Sequence, residues 1–302
     1  MIVAVSLDPA VHVSYETKRV LPGTTHDVGR VRYRAGGRGP AVARLLHTFG
    51  HEVVAAGLAG GTAGEMIRAE LARIGVPTQF TPIAMESRRV VEVADLATGT
   101  ITSFAEPSPY ITTEELGRLA ADYRSLIDGA SAAVLCGGLP DGLPPETYAT
   151  FATYAAEAGV PVILDAGGEA LWHAVARGPM LAVPEPGDGD RQQAAAGCGD
   201  GDPAALMAAG AGAVATMSGE TVSVRTADGH WRARLADSGA PAAMSRDALV
   251  AGFVPGVALG WDWPDSVRHA VSLAATAGLG GVIDLVTYER LLPEVVIEKV
   301  DR

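Results

Sequence analysis

Asp247 stands at the head of an apolar run, Met244-Ser245-Arg246-Asp247-Ala248-Leu249-Val250-Ala251-Gly252-Phe253, that predicts a helix over residues 246 to 260. A helix start exposes free backbone N–H groups and a partial positive charge. An anion is stabilised there, and a carboxylate in that place serves as a base or simply as a cap. A second stretch, Ala35-Gly36-Gly37-Arg38-Gly39-Pro40-Ala41, is a glycine-rich turn running into a helix predicted over 40 to 49. Its glycines let a ligand approach the backbone, and its spacing is neither that of a Walker loop nor that of a Rossmann turn. Arg38, Arg88 and Arg246 carry guanidinium forks that match a phosphate in paired hydrogen bonds. If the three converge, they form a basic pocket inside an acidic chain. Glu185 and Asp188 offer oxygen ligands to a hard cation, or form a solvated acidic pair in a polar loop.

These residues need a rigid frame, and the hydrophobic pattern supplies one. Short apolar runs at 2 to 7, 52 to 57, 132 to 136, 161 to 165, 180 to 183 and 213 to 217 read as buried strands. Helix-length amphipathic segments lie between them, near 40 to 49, 64 to 74, 112 to 127, 145 to 158, 168 to 177 and 202 to 210, with a final pair near 246 to 260 and 264 to 279. Such alternation predicts a mostly parallel sheet covered by helices on both faces. Two stretches, 11 to 34 and 89 to 104, alternate like hairpins and predict a small sheet projecting from the main one, a lid or a dimer contact. No flexible linker sets it apart, so residues 1 to 302 are expected to form a single α/β domain with inserted lid strands.

The chain has 302 residues, 48% of them hydrophobic and 19% charged, with a formal net charge of -12. No apolar run approaches the roughly 18 to 20 residues that span a bilayer, and the first residues read as a buried strand rather than a signal peptide. A cytoplasmic location is the expectation. The negative charge opposes nucleic acid as a partner, since polyanion binding needs a basic surface. Two cysteines, Cys136 and Cys198, are too few for a disulfide framework or a zinc site.

Several segments together resemble the ribokinase-like (PfkB) carbohydrate kinases. Residues 244 to 253 are similar to the family's C-terminal signature D-T-x-G-A-G-D-x-x-x-A-G-F, with Met244, Ser245 and Arg246 in place of the residues before its last aspartate. Gly36-Gly37-Arg38-Gly39 resembles G-G-K-G-x-N-x-A, with Ala41 where the family has asparagine. The 1-phosphofructokinase and tagatose-6-phosphate kinase branch is the nearest. Its T-L-N-P-A-x-D appears as Ser6-Leu7-Asp8-Pro9-Ala10-Val11-His12, its L-S-G-S-L-P-x-G as Leu135 to Gly142 through Gly137, and its I-L-D-x-S-G-x-A-L as Ile163 to Leu171. The segment K-P-N-x-x-E appears as Val183-Pro184-Glu185-Pro186-Gly187-Asp188, and S-x-G-x-x-G as Thr216-Met217-Ser218-Gly219-Glu220-Thr221.

The resemblance implies a ribokinase-like three-layer α/β/α fold with a β-sheet lid. It implies ATP and magnesium as cofactors, and a sugar phosphate or polyol phosphate as the small-molecule partner. Asp247 is then the catalytic base. Asp8, His12, Gly36, Gly37, Arg38, Arg88 and Gly137 face the sugar, with Arg88 on its phosphate, and Ser218, Gly219, Ser245 and Arg246 face the nucleotide and its phosphates. Glu185 and Asp188 would be the metal side. Neither nucleic acid nor membrane is implied, whereas a homodimer through the lid is. Because the substituted positions are polar ones, two functions stay open: an ATP-dependent phosphotransferase with altered contacts, and a catalytically silent protein that binds a phosphorylated metabolite. Arg246 either restores positive charge to the phosphate cradle or pairs with Asp247 and plugs it.

Overall fold

The computed structural model describes residues 1–185, 201–236, 244–277, 283 and 285–300. Along the chain these form β1 (Ile2–Ser6), β2 (Ala10–Thr17), β3 (Arg30–Gly36), α1 (Arg38–Thr48), β4 (Val53–Ala59), α2 (Gly61–Arg73), β5 (Thr78–Pro82), β6 (Arg89–Asp95), β7 (Thr100–Ala105) and α3 (Thr113–Ile127). There follow β8 (Ala132–Cys136), α4 (Thr147–Glu157), β9 (Val162–Asp165), α5 (Gly168–Val175), β10 (Leu181–Ala182), α6 (Pro203–Ala209), β11 (Ala213–Ser218), β12 (Thr221–Thr226) and β13 (His230–Leu235). The chain ends with α7 (Arg246–Leu259), α8 (Trp263–Thr276), α9 (Leu285–Leu291) and β14 (Val295–Val300).

Ten strands make one sheet in the order β14-β13-β12-β11-β10-β9-β8-β1-β4-β5. From β11 to β5 every neighbouring pair is parallel, and β12 to β14 add an antiparallel edge. Alternation along β1 shows how the layers form. Ile2 and Ala4 join a core with α1, α2, α7 and α8, while Val3, Val5 and Leu7 join a second core with α3 to α6. Successive strand side chains point to opposite faces, so one strand with both sets buried must lie between two helical layers. This is the helix-covered, mostly parallel sheet that the hydrophobic pattern predicts, and the layering that the family resemblance implies.

Four strands, in the order β3-β2-β6-β7, form the small second sheet. β2 pairs antiparallel with β3 and parallel with β6. The strands predicted at 11 to 34 and 89 to 104 thus meet in one sheet. Sequence reading did not identify β5, β12, β13, β14 or α9. Among the described residues no helix is long and apolar enough to cross a membrane.

Helix ends are set by local chemistry. A capping box joins Thr112 and Glu115 at the start of α3, and Asp262 accepts from the Asp265 N–H to start α8. In α7, Gly252 lies against Ala270 and Gly256 against Ser266 of α8, leaving no room for larger residues. The glycine of Ala251-Gly252-Phe253 therefore serves helix packing rather than ligand approach.

Candidate functional site

Parallel strands bring their C-terminal ends to one edge of the sheet, where ligands of such folds gather. Here that edge carries Ser6 to Asp8 after β1, Cys136 and Gly137 at β8, Asp165 at β9, Val183 to Glu185 after β10, and Ser218 with Gly219 after β11. The first turns of α1 and α7 also reach it, as their ion pairs show.

Asp165 is the centre of this edge. Its carboxylate has no exposure to solvent, and one oxygen, Oδ1, accepts from Arg38 Nη1 at 2.8 Å, Arg246 Nε at 3.0 Å and Arg246 Nη2 at 2.6 Å. Arg246 Nη2 also donates to the Val183 carbonyl at 2.7 Å. Arg38 uses its other nitrogen, Nη2, on Glu185 at 2.6 Å. Both arginines are the first residues of their helices. Two helix starts thus send guanidinium groups to one buried acid. The second oxygen of Asp165 is buried without a hydrogen-bond partner.

Asp247 lies one residue into α7. Ser245, not Asp247, is the cap: its Oγ accepts from the Ala248 N–H at 3.3 Å. The Asp247 carboxyl is pushed up to about 6, first by burial and then by the negative Asp165, against the opposing pull of Arg38, Arg246 and Arg44. A carboxylate that titrates near neutrality is suited to take a proton at physiological pH. Arg246 does not form its hydrogen bonds with Asp247; its partners are Asp165 and Val183.

Asp8 marks a second cluster. Its Oδ2 accepts from Arg88 Nε at 2.7 Å and from the Ser108 hydroxyl at 2.7 Å, while Oδ1 is buried without a partner. Burial raises its pKa, with Arg88 and Ser108 opposing and Asp141 adding to the rise. Of the three arginines, Arg38 and Arg246 share Asp165, whereas Arg88 pairs with Asp8.

The His12 ring fills the space that a side chain at Gly36 would need. Burial lowers its pKa, with the Glu92 carboxylate 3.8 Å away working against that. Gly37 adopts a left-handed φ of 88° at the N-cap of α1, close to the backbone of Pro9. Gly137, also left-handed at φ 97°, donates its N–H to the Asp165 carbonyl, and its own carbonyl accepts from Tyr148. Ser218 and Gly219 sit exposed where β11 turns into β12.

Glu185 is held by Arg38, and Asp188 lies outside the described residues. No group of three or more histidine, cysteine, aspartate or glutamate side chains able to hold a metal occurs among the described residues. Sequence reading had quoted Asp165 within its motif without giving it a role, and had passed over Ser108. The signal for Asp165 was a lone acid closing a wholly buried strand, Val162-Ile163-Leu164-Asp165.

A family model described as pfkB family carbohydrate kinase matches residues 1–221, ending before α7 begins. Over 171 residues the chain is 32% identical to a tagatose-6-phosphate kinase of Staphylococcus epidermidis, which takes in 57% of this chain and 54% of that protein. The chain thus spans about half the length of that curated relative. Among solved structures, a "possible 1-phosphofructokinase" from Thermotoga maritima superimposes with a TM-score of 0.84 over 100% of both chains at 21% identity. Phosphofructokinase-2 from Escherichia coli in complex with fructose-6-phosphate gives 0.83 over 97% of this chain and 98% of that one, also at 21% identity.

Proposed function

Because the chain belongs to the pfkB family of carbohydrate kinases, we propose that it transfers the terminal phosphoryl group of ATP to a hydroxyl of a sugar phosphate or related polyol phosphate. The observation that carries this reading is the half-buried Asp247 carboxyl in the first turn of α7, pushed up to about 6 by desolvation and Asp165 against Arg38 and Arg246. Asp247 takes the proton of the acceptor hydroxyl as its oxygen bonds to phosphorus and the bond from phosphorus to the departing ADP oxygen breaks. Backbone N–H groups at the α7 start meet the charge that develops on the transferring group. Arg88, once released from Asp8, grips the phosphate already on the acceptor. No step is assigned to a protein-held magnesium ion, because Glu185 is engaged by Arg38.

The proposal extends to architecture: one domain, with the four-stranded sheet as lid. Strand register puts Tyr33, Phe104 and Val31 on one face of that sheet, at 57%, 62% and 42% exposure. An apolar face of this kind suits a second copy of the chain. Light scattering is expected to give twice the chain mass for the wild type and the single mass for Phe104→Asp; a monomeric wild type removes the dimer.

A second reading, a silent protein that binds a phosphorylated metabolite, is favoured by the commitment of Arg246 to Asp165. Turnover assays with ATP, magnesium and fructose 1-phosphate or tagatose 6-phosphate separate the two. The phosphotransferase reading expects a rate that rises through about pH 6 with the ionisation of Asp247. It expects Asp247→Asn to lower kcat by about 10²- to 10⁴-fold with binding retained. Unchanged turnover in Asp247→Asn removes that residue as base, and absent turnover with tight sugar-phosphate binding selects the silent protein.

A further inference from the structure

Arg246 holds an unusual position for a residue at the mouth of a phosphate site. It is the first residue of α7, yet its guanidinium turns back to the ends of β9 and β10. One edge of the fork, Nε and Nη2, is taken by Asp165 Oδ1 and the Val183 carbonyl. The side chain is 15% exposed and its partner carboxylate is not exposed at all. Arg38, from the start of α1, closes on the same oxygen and reaches Glu185 with its second nitrogen.

The charges at this edge cancel. Arg38, Arg246 and Arg44 share this field with Asp165, Glu185 and Asp247, three cations against three acids, so an incoming polyphosphate meets little net attraction from them. Nor can it recruit Arg246 cheaply. Withdrawing that guanidinium would leave Asp165 buried with one partner fewer, and its Oδ2 has none already. The unpartnered Oδ2 is an acceptor, so the place it faces suits a hydrogen-bond donor or a cation rather than a phosphate oxygen.

We infer that Arg246 determines donor use: anchored on Asp165, it fills the phosphate-receiving end of α7 and weakens nucleoside triphosphate binding, while the acceptor subsite around Asp8 and Arg88 is left intact. The inference rests on the reading of the α7 start as the phosphate-receiving place. A residue without a side chain at 246 would open that end and leave Asp165 paired with Arg38.

The test compares wild type, Arg246→Gly and Arg246→Ala by calorimetry. The probes are a non-hydrolysable ATP analogue with magnesium and, separately, fructose 1-phosphate or tagatose 6-phosphate. Melting curves establish that each variant is folded, and Arg246→Ala preserves helix propensity where glycine does not. Both variants are expected to bind the nucleotide at least about tenfold more tightly than wild type, with sugar-phosphate affinity unchanged. Equal or weaker nucleotide binding in the variants, with turnover in the wild type, overturns the inference and leaves the phosphotransferase standing. Absence of nucleotide binding in all three proteins overturns both.

Discussion

Two carboxylates, Asp165 at the end of β9 and Asp8 after β1, sit on the same sheet edge with β8 between them, and each holds arginine, but on opposite terms. Asp165 is fully buried and receives three N–H bonds from two arginines on one oxygen. Asp8 is held by one arginine and one hydroxyl, and burial pushes it toward its neutral form. The first cluster is over-determined, and breaking it strands charge in the interior. The second has an alternative, since a proton or an incoming phosphate can replace one of its members at little cost. The lesson is that arginine at a strand end does not by itself mark a site open to anions. The bond inventory of its partner carboxylate decides.

The same substitution at both places breaks or sharpens this contrast. Asp165→Asn removes the charge that two guanidinium groups share, and is expected to destabilise the fold by about 3 kcal/mol, read by denaturant unfolding. A loss within the range of a surface ion pair would show that Arg38 and Arg246 do not depend on Asp165. Asp8→Asn is expected to cost less than Asp165→Asn, because burial raises the Asp8 pKa and only one arginine opposes it. Its larger effect lies in binding: with Arg88 released, sugar-phosphate KM is expected to fall about three- to tenfold at nearly constant kcat. A rise in KM would instead mean that Asp8 contacts the acceptor directly.

The same distinction explains what was legible in the sequence. The buried parallel strands and their covering helices follow from short apolar runs and amphipathic periods, and residues such as Ile2 to Ser6 or Ala132 to Cys136 leave no alternative. The antiparallel edge escaped because β12 and β13 alternate apolar and polar residues, as in Thr221-Val222-Ser223-Val224 and His230-Trp231-Arg232-Ala233, at a period read elsewhere as lid. In β5, Thr78 to Pro82, a closing proline hides a strand that sits at the edge of the sheet.

For the site, residue types spoke clearly and pairings did not. Arg38, Arg246 and Asp247 are identifiable from the helix starts and the glycine turn around them, and Arg88 from the family resemblance. Which acid each arginine would choose depends on tertiary placement: Asp165 is 127 residues from Arg38 and 81 from Arg246. No local period encodes such distances. Burial then fixes the outcome, because the acid with no access to water must be answered first.

Gly37 carries a consequence of a mechanical kind. β3 ends at Gly36 and α1 begins at Arg38, so one residue joins a strand of the small sheet to the helix whose first side chain grips Asp165. On the other side, β1 passes into β2 across Leu7, Asp8 and Pro9, and β2 pairs with β3 up to Ala10 and Gly36. The roots of β2 and β3 therefore adjoin Asp8 and Arg38, one member of each ion-pair cluster, and a side chain at Gly37 would meet the backbone of Pro9. Any tilt of that sheet would pass through Gly37 to the start of α1 and so shift the Arg38 guanidinium.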